Sequence, residues 1–200
     1  MYASGIGINI PIAFGSVDYE HYEADMIQYG ISIVYDTNVA KNKIFNYRLC
    51  LGLEYFRHEY EYHYYLSYDD YHGCYSDIHK GIRIISDHNF GFAIIKDASF
   101  RLWMGPSLRF GFVFEDVSGV TLGLGLTGIG LNYNIAQAIA LSLETGYLLF
   151  VDFYSDDIAY IEYESPGIYS QYVSVNRGIN KTFIIKLALI FRINDIYDIL

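Results

Sequence analysis

Residues 45–55 read Phe-Asn-Tyr-Arg-Leu-Cys-Leu-Gly-Leu-Glu-Tyr. Every odd position is aromatic or aliphatic, whereas the even positions hold two charged residues, Arg48 and Glu54, together with small or polar ones. Alternation with a period of two is typical of a β-strand, because successive side chains of a strand point to opposite faces. The stretch therefore predicts a strand with one wholly apolar face and one face that carries charge.

The same alternation recurs in seven other segments, so the 200-residue sequence predicts eight strands. Their apolar phases lie within 6–14, 27–35, 45–55, 82–94, 100–114, 122–133, 141–153 and 183–193. The sixth segment changes phase between Leu126 and Ile129, as a β-bulge would cause. The apolar phases comprise 50 positions without one Asp, Glu, Lys or Arg, although a chain that is 18% charged would place about 9 there by chance.

Composition excludes several classes of protein. A chain that is 52% hydrophobic can bury enough surface to fold, and its length suits one domain, which we expect to span residues 1–200. Polar residues interrupt each apolar run before the roughly 20 residues that a membrane-spanning helix needs. A net charge of −10 argues against binding to nucleic acid.

The phase opposite the apolar one holds glycine, alanine and serine interleaved with charges. An eight-stranded barrel has room inside for side chains and little else, and buried charges persist when they are paired. We therefore predict a network of charges in the lumen of a barrel. Its members are Arg48, Glu54, Arg83, Asp87, Arg101, Arg109, Glu144 and Lys186.

The connections between the predicted strands alternate in length. Tight ones at 37–43, 96–99 and 134–138 alternate with segments 18–25, 57–80, 115–119 and 154–178, of which 57–80 and 154–178 are long. Aromatic residues cluster near both ends of the strands, as in the girdles of membrane barrels. An even number of antiparallel strands with this asymmetry predicts a transmembrane β-barrel whose apolar phase faces lipid.

With these features the chain resembles the small eight-stranded outer-membrane barrels typified by the OmpA transmembrane domain and OmpX, in architecture rather than in any motif. The resemblance implies an all-β, eight-stranded antiparallel up-and-down transmembrane barrel in the bacterial outer membrane, beside lipopolysaccharide. It further implies periplasmic termini and short periplasmic turns, longer extracellular loops and an export signal already removed. The chain departs from such barrels in placing Ser86 and His88 on the lipid face and in continuing beyond Phe191 to Leu200.

A soluble lipocalin-like barrel with its apolar phase inside is the alternative fold. Its outer phase would be rich in Lys, Glu and Thr, whereas here that phase is rich in Gly, Ala and Ser. Many of the apolar positions are also aromatic and too bulky for a lumen that holds one small ligand. The membrane interpretation is favoured.

The four segments 18–25, 57–80, 115–119 and 154–178 are strongly acidic. They contain 15 of the 23 acids, 14 of the 22 tyrosines and 3 bases. Tyrosine gives rigid contact area at low entropic cost, so these segments are candidates for adhesion or for binding a host or cell-surface ligand. The binding candidates are Tyr60, Tyr62, Tyr64, Tyr68, Tyr160 and Tyr163. Solvated strand extensions whose acids bind divalent cations are an equal alternative.

Residues that would carry catalysis or bind a cofactor form no recognised pattern. Five histidines lie in or beside the acidic segments without the spacing of a metal site, and we expect them at the surface. Cys50 and Cys74 are expected to be free thiols. We therefore expect no cofactor, no metal and no enzymatic activity. The alternative functions are a narrow channel or hydrophobic-ligand conduit of the OmpW kind and an outer-membrane lipid hydrolase.

Overall fold

The computed structural model describes residues 4–19, 22–37, 44–66, 71–97, 99–115, 118–136, 138–164 and 169–193. For residues 22, 60–66, 71–77, 156–164 and 169–176 it describes the backbone alone. Tyr68 lies outside the described residues, as do His21 and the tail beyond Ile193.

Eight antiparallel strands form a closed barrel in which each strand pairs with its neighbours in sequence and β1 pairs with β8. The strands are β1 Gly5–Tyr19, β2 Tyr22–Asp36, β3 Phe45–Leu66, β4 Tyr71–Lys96, β5 Phe100–Phe114, β6 Ser118–Asn134, β7 Ile139–Glu164 and β8 Tyr169–Arg192. The predicted fold class is confirmed. Closure satisfies the backbone hydrogen bonds of every strand, which a sheet in lipid requires.

The two ends of the barrel differ. At one end, the terminal end, lie Ser4, Ile193 and the connections 37–44, 97–99 and 135–138. At the other, the hairpin end, β3 pairs with β4 as far as Leu66 and Tyr71, and β7 pairs with β8 as far as Glu164 and Tyr169. The segments 57–80 and 154–178 were predicted as long connections, and this prediction is wrong. They are mostly extensions of paired strands, because the hydrogen-bond ladder continues above the apolar band.

Burial alternates along each strand. On β1, Ile6, Ile8 and Ile10 are about half exposed on the outer wall, while Asn9 and Ala13 are buried in the lumen. The outer wall stays apolar on β3 from residue 45 to 55, below the half-exposed Arg57, and on β4 between the exposed Lys80 and Lys96 except at Ser86 and His88. We take these apolar stretches as the membrane-spanning segments. Among the described residues, no helix has the length and hydropathy to cross a membrane.

The predicted bulge in β6 is present. Thr127 pairs with Gly146 and Ile129 with Thr145, which leaves Gly128 as an extra, outward residue. Two residues further on, a side chain at Gly130 would collide with the ring of Trp103, because a Cβ atom there would lie 2.2 Å from that ring. The glycine at 130 thus lets a fully buried tryptophan fit against the wall.

Candidate functional site

Charged side chains fill the lumen in equal numbers of each sign. Among the residues that the structure describes, five acids and five bases in the barrel wall are buried. The bases are Arg48, Arg83, Arg101, Arg109 and Lys186, and the acids are Asp36, Glu54, Asp87, Glu144 and Asp152. The structure thus places all eight charged residues of the predicted network inside the barrel, together with Asp36, which lies on the same inward phase, and Asp152.

Arg48 organises the level nearest the terminal end. Its guanidinium donates to Asp36 Oδ2 from Nη2 at 2.6 Å and from Nε at 2.9 Å, and it forms an ion pair with Glu144 across the lumen. It also donates to Asn132 Oδ1 at 2.9 Å and Ser142 Oγ at 2.7 Å. Arg48 therefore links β3 to β2, β6 and β7.

Arg109 organises the middle level. It binds Glu54 through two hydrogen bonds of 2.7 and 2.8 Å and Asp87 through two of 2.8 and 2.9 Å. Lys186 Nζ donates to Asp87 Oδ2 at 2.9 Å. Bidentate pairs of this kind are short, directional and hard to replace. Strands β3, β4, β5 and β8 meet through this one cluster.

Arg83 organises the level nearest the hairpin end. It donates from Nη2 to Asp152 Oδ2 at 2.5 Å, and its guanidinium carbon lies 3.8 Å from the centre of the Phe56 ring and 4.9 Å from that of Phe150. Thr121 and Asn180 donate to Asp152 at 2.6 and 3.0 Å. Asp152 was missed at the sequence level, since an acid near the end of a predicted strand looks the same as an acid in a loop.

A cap of tyrosines and histidines closes the lumen above Arg83. The Tyr19 hydroxyl lies 2.9 Å from His58 Nδ1, and His79 Nδ1 lies 3.1 Å from Glu115 Oε1. Tyr154 donates to the other oxygen of Glu115 at 3.1 Å. His58 was expected at the surface, and that expectation is wrong, because its side chain is wholly buried and stacks on Phe56.

His58 lies beyond Arg57 and therefore above the membrane-spanning segment of β3. Burial, reinforced by the positive charge of Arg83 and by His79, holds the pKa of His58 well below its ordinary value of 6.5. The histidine is therefore neutral at physiological pH, which suits a position with Arg83 beneath it.

A small cavity lies beside the middle level of charges. This cavity of about 10 Å³ lies among Asp87, Asn89, Glu144 and Lys186, enough for one water molecule. Within the described residues, no group of three or more His, Cys, Asp or Glu side chains has the arrangement of a metal site. This arrangement links the strands across the lumen through buried ion pairs.

The tyrosines proposed for binding lie on the extended hairpins. Tyr60, Tyr62 and Tyr64 occupy alternate positions of β3, and Tyr160 and Tyr163 occupy β7, all in backbone paired with the neighbouring strand. Their side chains and the whole of Tyr68 lie outside the description. Tyr60, Tyr62 and Tyr64 lie three, five and seven strand positions beyond Arg57, which is about 10 to 23 Å along the strand at 3.3 Å per residue.

Ser86 and His88 were expected on the outer wall, but the hydrogen bonds that join them to each other and to Tyr47 were not predicted. The Ser86 hydroxyl lies 3.0 Å from His88 Nε2, and the Tyr47 hydroxyl lies 2.6 Å from His88 Nδ1. A serine joined to a histidine in this way has the connectivity of a nucleophile and its base. These groups sit halfway along the membrane-spanning part of β4, at the level of acyl chains rather than of lipid ester groups.

A closed antiparallel barrel with an apolar outer wall and a lumen of paired charges is a transmembrane β-barrel of the outer-membrane type. The closed ladder satisfies the backbone hydrogen bonds, the outer wall presents apolar side chains to lipid, and the buried charges of the lumen are paired. The structure therefore favours the membrane interpretation over a soluble barrel with its apolar residues inside.

Three solved outer-membrane proteins match this chain at low similarity. Neisserial surface protein A (NspA) matches with a TM-score of 0.39 and 12% identity, over 90% of this chain and 95% of that one. The attachment invasion locus protein Ail of Yersinia pestis matches with a TM-score of 0.37 and 10% identity, over 94% and 99% of the two chains. The outer membrane protease OmpT of Escherichia coli matches at 0.33 and 8%, over 96% of each. No protein-family model and no curated protein sequence matches this chain.

Proposed function

We propose that this protein is a sealed barrel of the bacterial outer membrane that presents two acidic, tyrosine-rich hairpins outside the cell as a binding surface. Residues 1–200 form one domain in this proposal. The terminal end faces the periplasm, and the hairpin end faces outward beside lipopolysaccharide. The hairpins are named here by their strands, β3–β4 and β7–β8.

The observation that carries the proposal is the length of these two hairpins beyond the apolar band. Beyond Phe56, β3 stays paired with β4 for ten residues, as far as Leu66. β7 and β8 stay paired as far as Glu164 and Tyr169, whereas β1 and β2 end at Tyr19 and Tyr22. A barrel needs no such extension in order to span a membrane. Paired strands also hold a surface in one shape, which lowers the entropy lost on binding.

The charge of the hairpin end favours a cationic partner. The four acidic segments carry 15 acids against 3 bases, while the buried charges of the barrel balance. Ail was crystallised with the heparin analogue sucrose octasulfate, a sulfated ligand. A surface as acidic as the present one repels sulfates, so we expect a partner rich in lysine or arginine, bound in a salt-dependent way.

The test is binding of a fluorescent lysine-rich peptide to whole cells that express the protein. In one variant, residues 60–77 and 158–175 are each replaced by a two-residue Asn-Gly turn, so that the pairs Glu59–Ile78 and Phe153–Arg177 remain. We expect this variant to fold and to lose binding. Undiminished binding by a folded, shortened barrel would contradict the proposal.

Two full-length variants separate charge from aromatic contact. One replaces Glu59, Glu61, Asp69, Asp70 and Asp77 by the corresponding amides, and the other replaces Tyr60, Tyr62 and Tyr64 by serine. Charge steering predicts slower association in the first variant, and aromatic contact predicts faster dissociation in the second. Sulfated polysaccharide serves as the negative ligand and should bind neither the parent nor the variants.

A further inference from the structure

The outer wall of β3, β4 and β5 carries a polar cluster formed by Tyr47, Ser86 and His88. Burial alternates around it, since Asp87 and Asn89 are buried in the lumen while Ser86 and His88 face outward. The two hydrogen bonds to His88 measure 2.6 Å from Tyr47 and 3.0 Å from Ser86. We call this group the outer polar cluster.

The cluster lies at the middle of the bilayer. His88 is eight residues from Lys80 and eight from Lys96, the exposed lysines that bound the apolar stretch of β4. Its partners in register are Leu49 on β3 and Leu108 on β5, both inside the apolar band. Polar side chains at this depth are unfavourable unless a partner binds them, and for this reason they mark functional sites.

A count of hydrogens shows what the cluster lacks. Two hydroxyl groups and one ring N–H supply three hydrogens, whichever ring nitrogen carries the proton. The two bonds use two of them, and the third has no acceptor among the residues that the structure describes. The hydroxyl oxygens also keep free lone pairs. The cluster therefore has a free hydrogen-bond donor and free acceptors at the same place. The surrounding lipid chains can supply neither a donor nor an acceptor.

We infer that the outer polar cluster is the centre of a contact between two copies of this barrel. Two copies inserted in the same direction and related by a twofold axis along the membrane normal bring each residue to the depth of its copy. A group that both donates and accepts is complementary to itself under such an axis. Each cluster then supplies the acceptor that the other lacks, and lipid cannot do so.

The surrounding wall fits a protein partner better than lipid chains. His88 contacts the rings of Tyr47 and Phe110, Tyr47 contacts Phe90, and Phe45 packs edge-on against Phe92 at 5.6 Å. The opposite wall, on β1 and β8, is aliphatic at the middle depth, at Ile8, Ile10, Leu187 and Leu189, and carries Phe14, Phe183 and Phe191 nearer its two ends. Aromatic side chains are enriched where proteins meet.

The test is the oligomeric state in mild detergent and in lipid vesicles, measured by light scattering and by subunit exchange. We expect the parent protein to be a dimer. The double variant Ser86→Ala, His88→Leu should have a dissociation constant about tenfold higher, because it loses two reciprocal hydrogen bonds in a membrane. Thr145→Val changes another outward polar residue, on β7, and should leave the dimer intact. Retained heat-modifiable migration on gels shows that each variant is folded.

Cross-linking places the contact. In a background with Cys50→Ala and Cys74→Ser, cysteine at Leu51, beside Ser86 in the register, should cross-link to its copy in intact membranes. Cysteine at Leu189 on the opposite wall should not. A monomeric parent, a dimer unaffected by the double substitution, or cross-linking through Leu189 would each overturn the inference.

Discussion

Arg83 and Arg48 differ in how many carboxylates hold them. Arg83 forms its ion pair with Asp152, whereas Arg48 contacts both Asp36 and Glu144. Removing an acid leaves a buried cation without that ion-pair partner, and the loss of stability depends on which groups remain around the cation. The two arginines therefore permit a ranked prediction.

We expect Asp152→Asn to destabilise the barrel by about 3–5 kcal/mol, because it leaves Arg83 without its ion-pair partner. Glu144→Gln should destabilise less, since Asp36 still faces Arg48. Asp18→Asn is the control, because its pair with Lys181 at 3.3 Å is largely exposed. Urea unfolding in lipid vesicles measures all three, and equal losses for Asp152→Asn and Asp18→Asn would contradict the ranking.

His58 predicts a pH dependence of stability. Its pKa is lowered in the folded barrel, because the side chain is buried and because Arg83 and His79 oppose its charge. In the unfolded chain the same group titrates near 6.5. As the pH falls, His58 is therefore protonated in the unfolded chain before it is protonated in the folded barrel. The contribution of neutral His58 to the free energy of unfolding is fully present above pH 6.5 and is lost as the pH falls below that value.

The measurement compares the parent with His58→Phe at pH 5 and at pH 7.5. The variant should lose less free energy of unfolding between the two pH values, since its side chain cannot be protonated. Both proteins contain the same acids, so the difference between their free energies of unfolding at each pH cancels the contribution of those acids. Parallel pH profiles for both proteins would show that His58 does not titrate in this range.

At the scale of the element, β6 carries a matched pair of glycines. At Gly130 an added Cβ would meet the Trp103 ring, whereas at Gly128 its nearest contact would be the Thr145 carbonyl oxygen at 3.8 Å. We expect Gly130→Ala to prevent most of the chain from folding and Gly128→Ala to fold normally. The folded fraction on unheated gels tests this pair, and similar fractions would mean that Trp103 can move aside.

The strands were predictable where lipid faces them. Between 45 and 55 lipid on one side and the lumen on the other enforce a period of two, and the strand is plain in the sequence. Beyond Arg57 the alternation continues with its phase inverted, since Tyr60, Tyr62 and Tyr64 occupy even positions between charged or polar odd ones, and the pairing with β4 continues to Tyr71. The extended hairpins were predicted as loops because the odd positions, apolar up to Tyr55, become charged there.

At the scale of the whole molecule, three charged levels and a cap occupy the lumen in succession. Arg48 and Arg83 reach across the interior to Glu144 and Asp152 on β7, Arg109 binds Glu54 and Asp87 on β3 and β4, and His58 and Tyr19 lie above them. The sequence predicted charges facing inward but not their grouping, because register and barrel closure decide which strands face each other.

This stacking predicts that the wild-type barrel conducts ions poorly. Its arginines are held by bonds of 2.5–2.9 Å to carboxylates, and opening a path would break several buried ion pairs together. In planar bilayers we expect no large, steady single-channel conductance. A variant with Arg109→Ser and Glu54→Ser removes one pair of opposite charges from the middle level, keeps the lumen neutral, and should raise conductance if the side chains themselves form the seal. Large, steady currents through the parent protein would refute the sealed lumen and would favour the channel alternative.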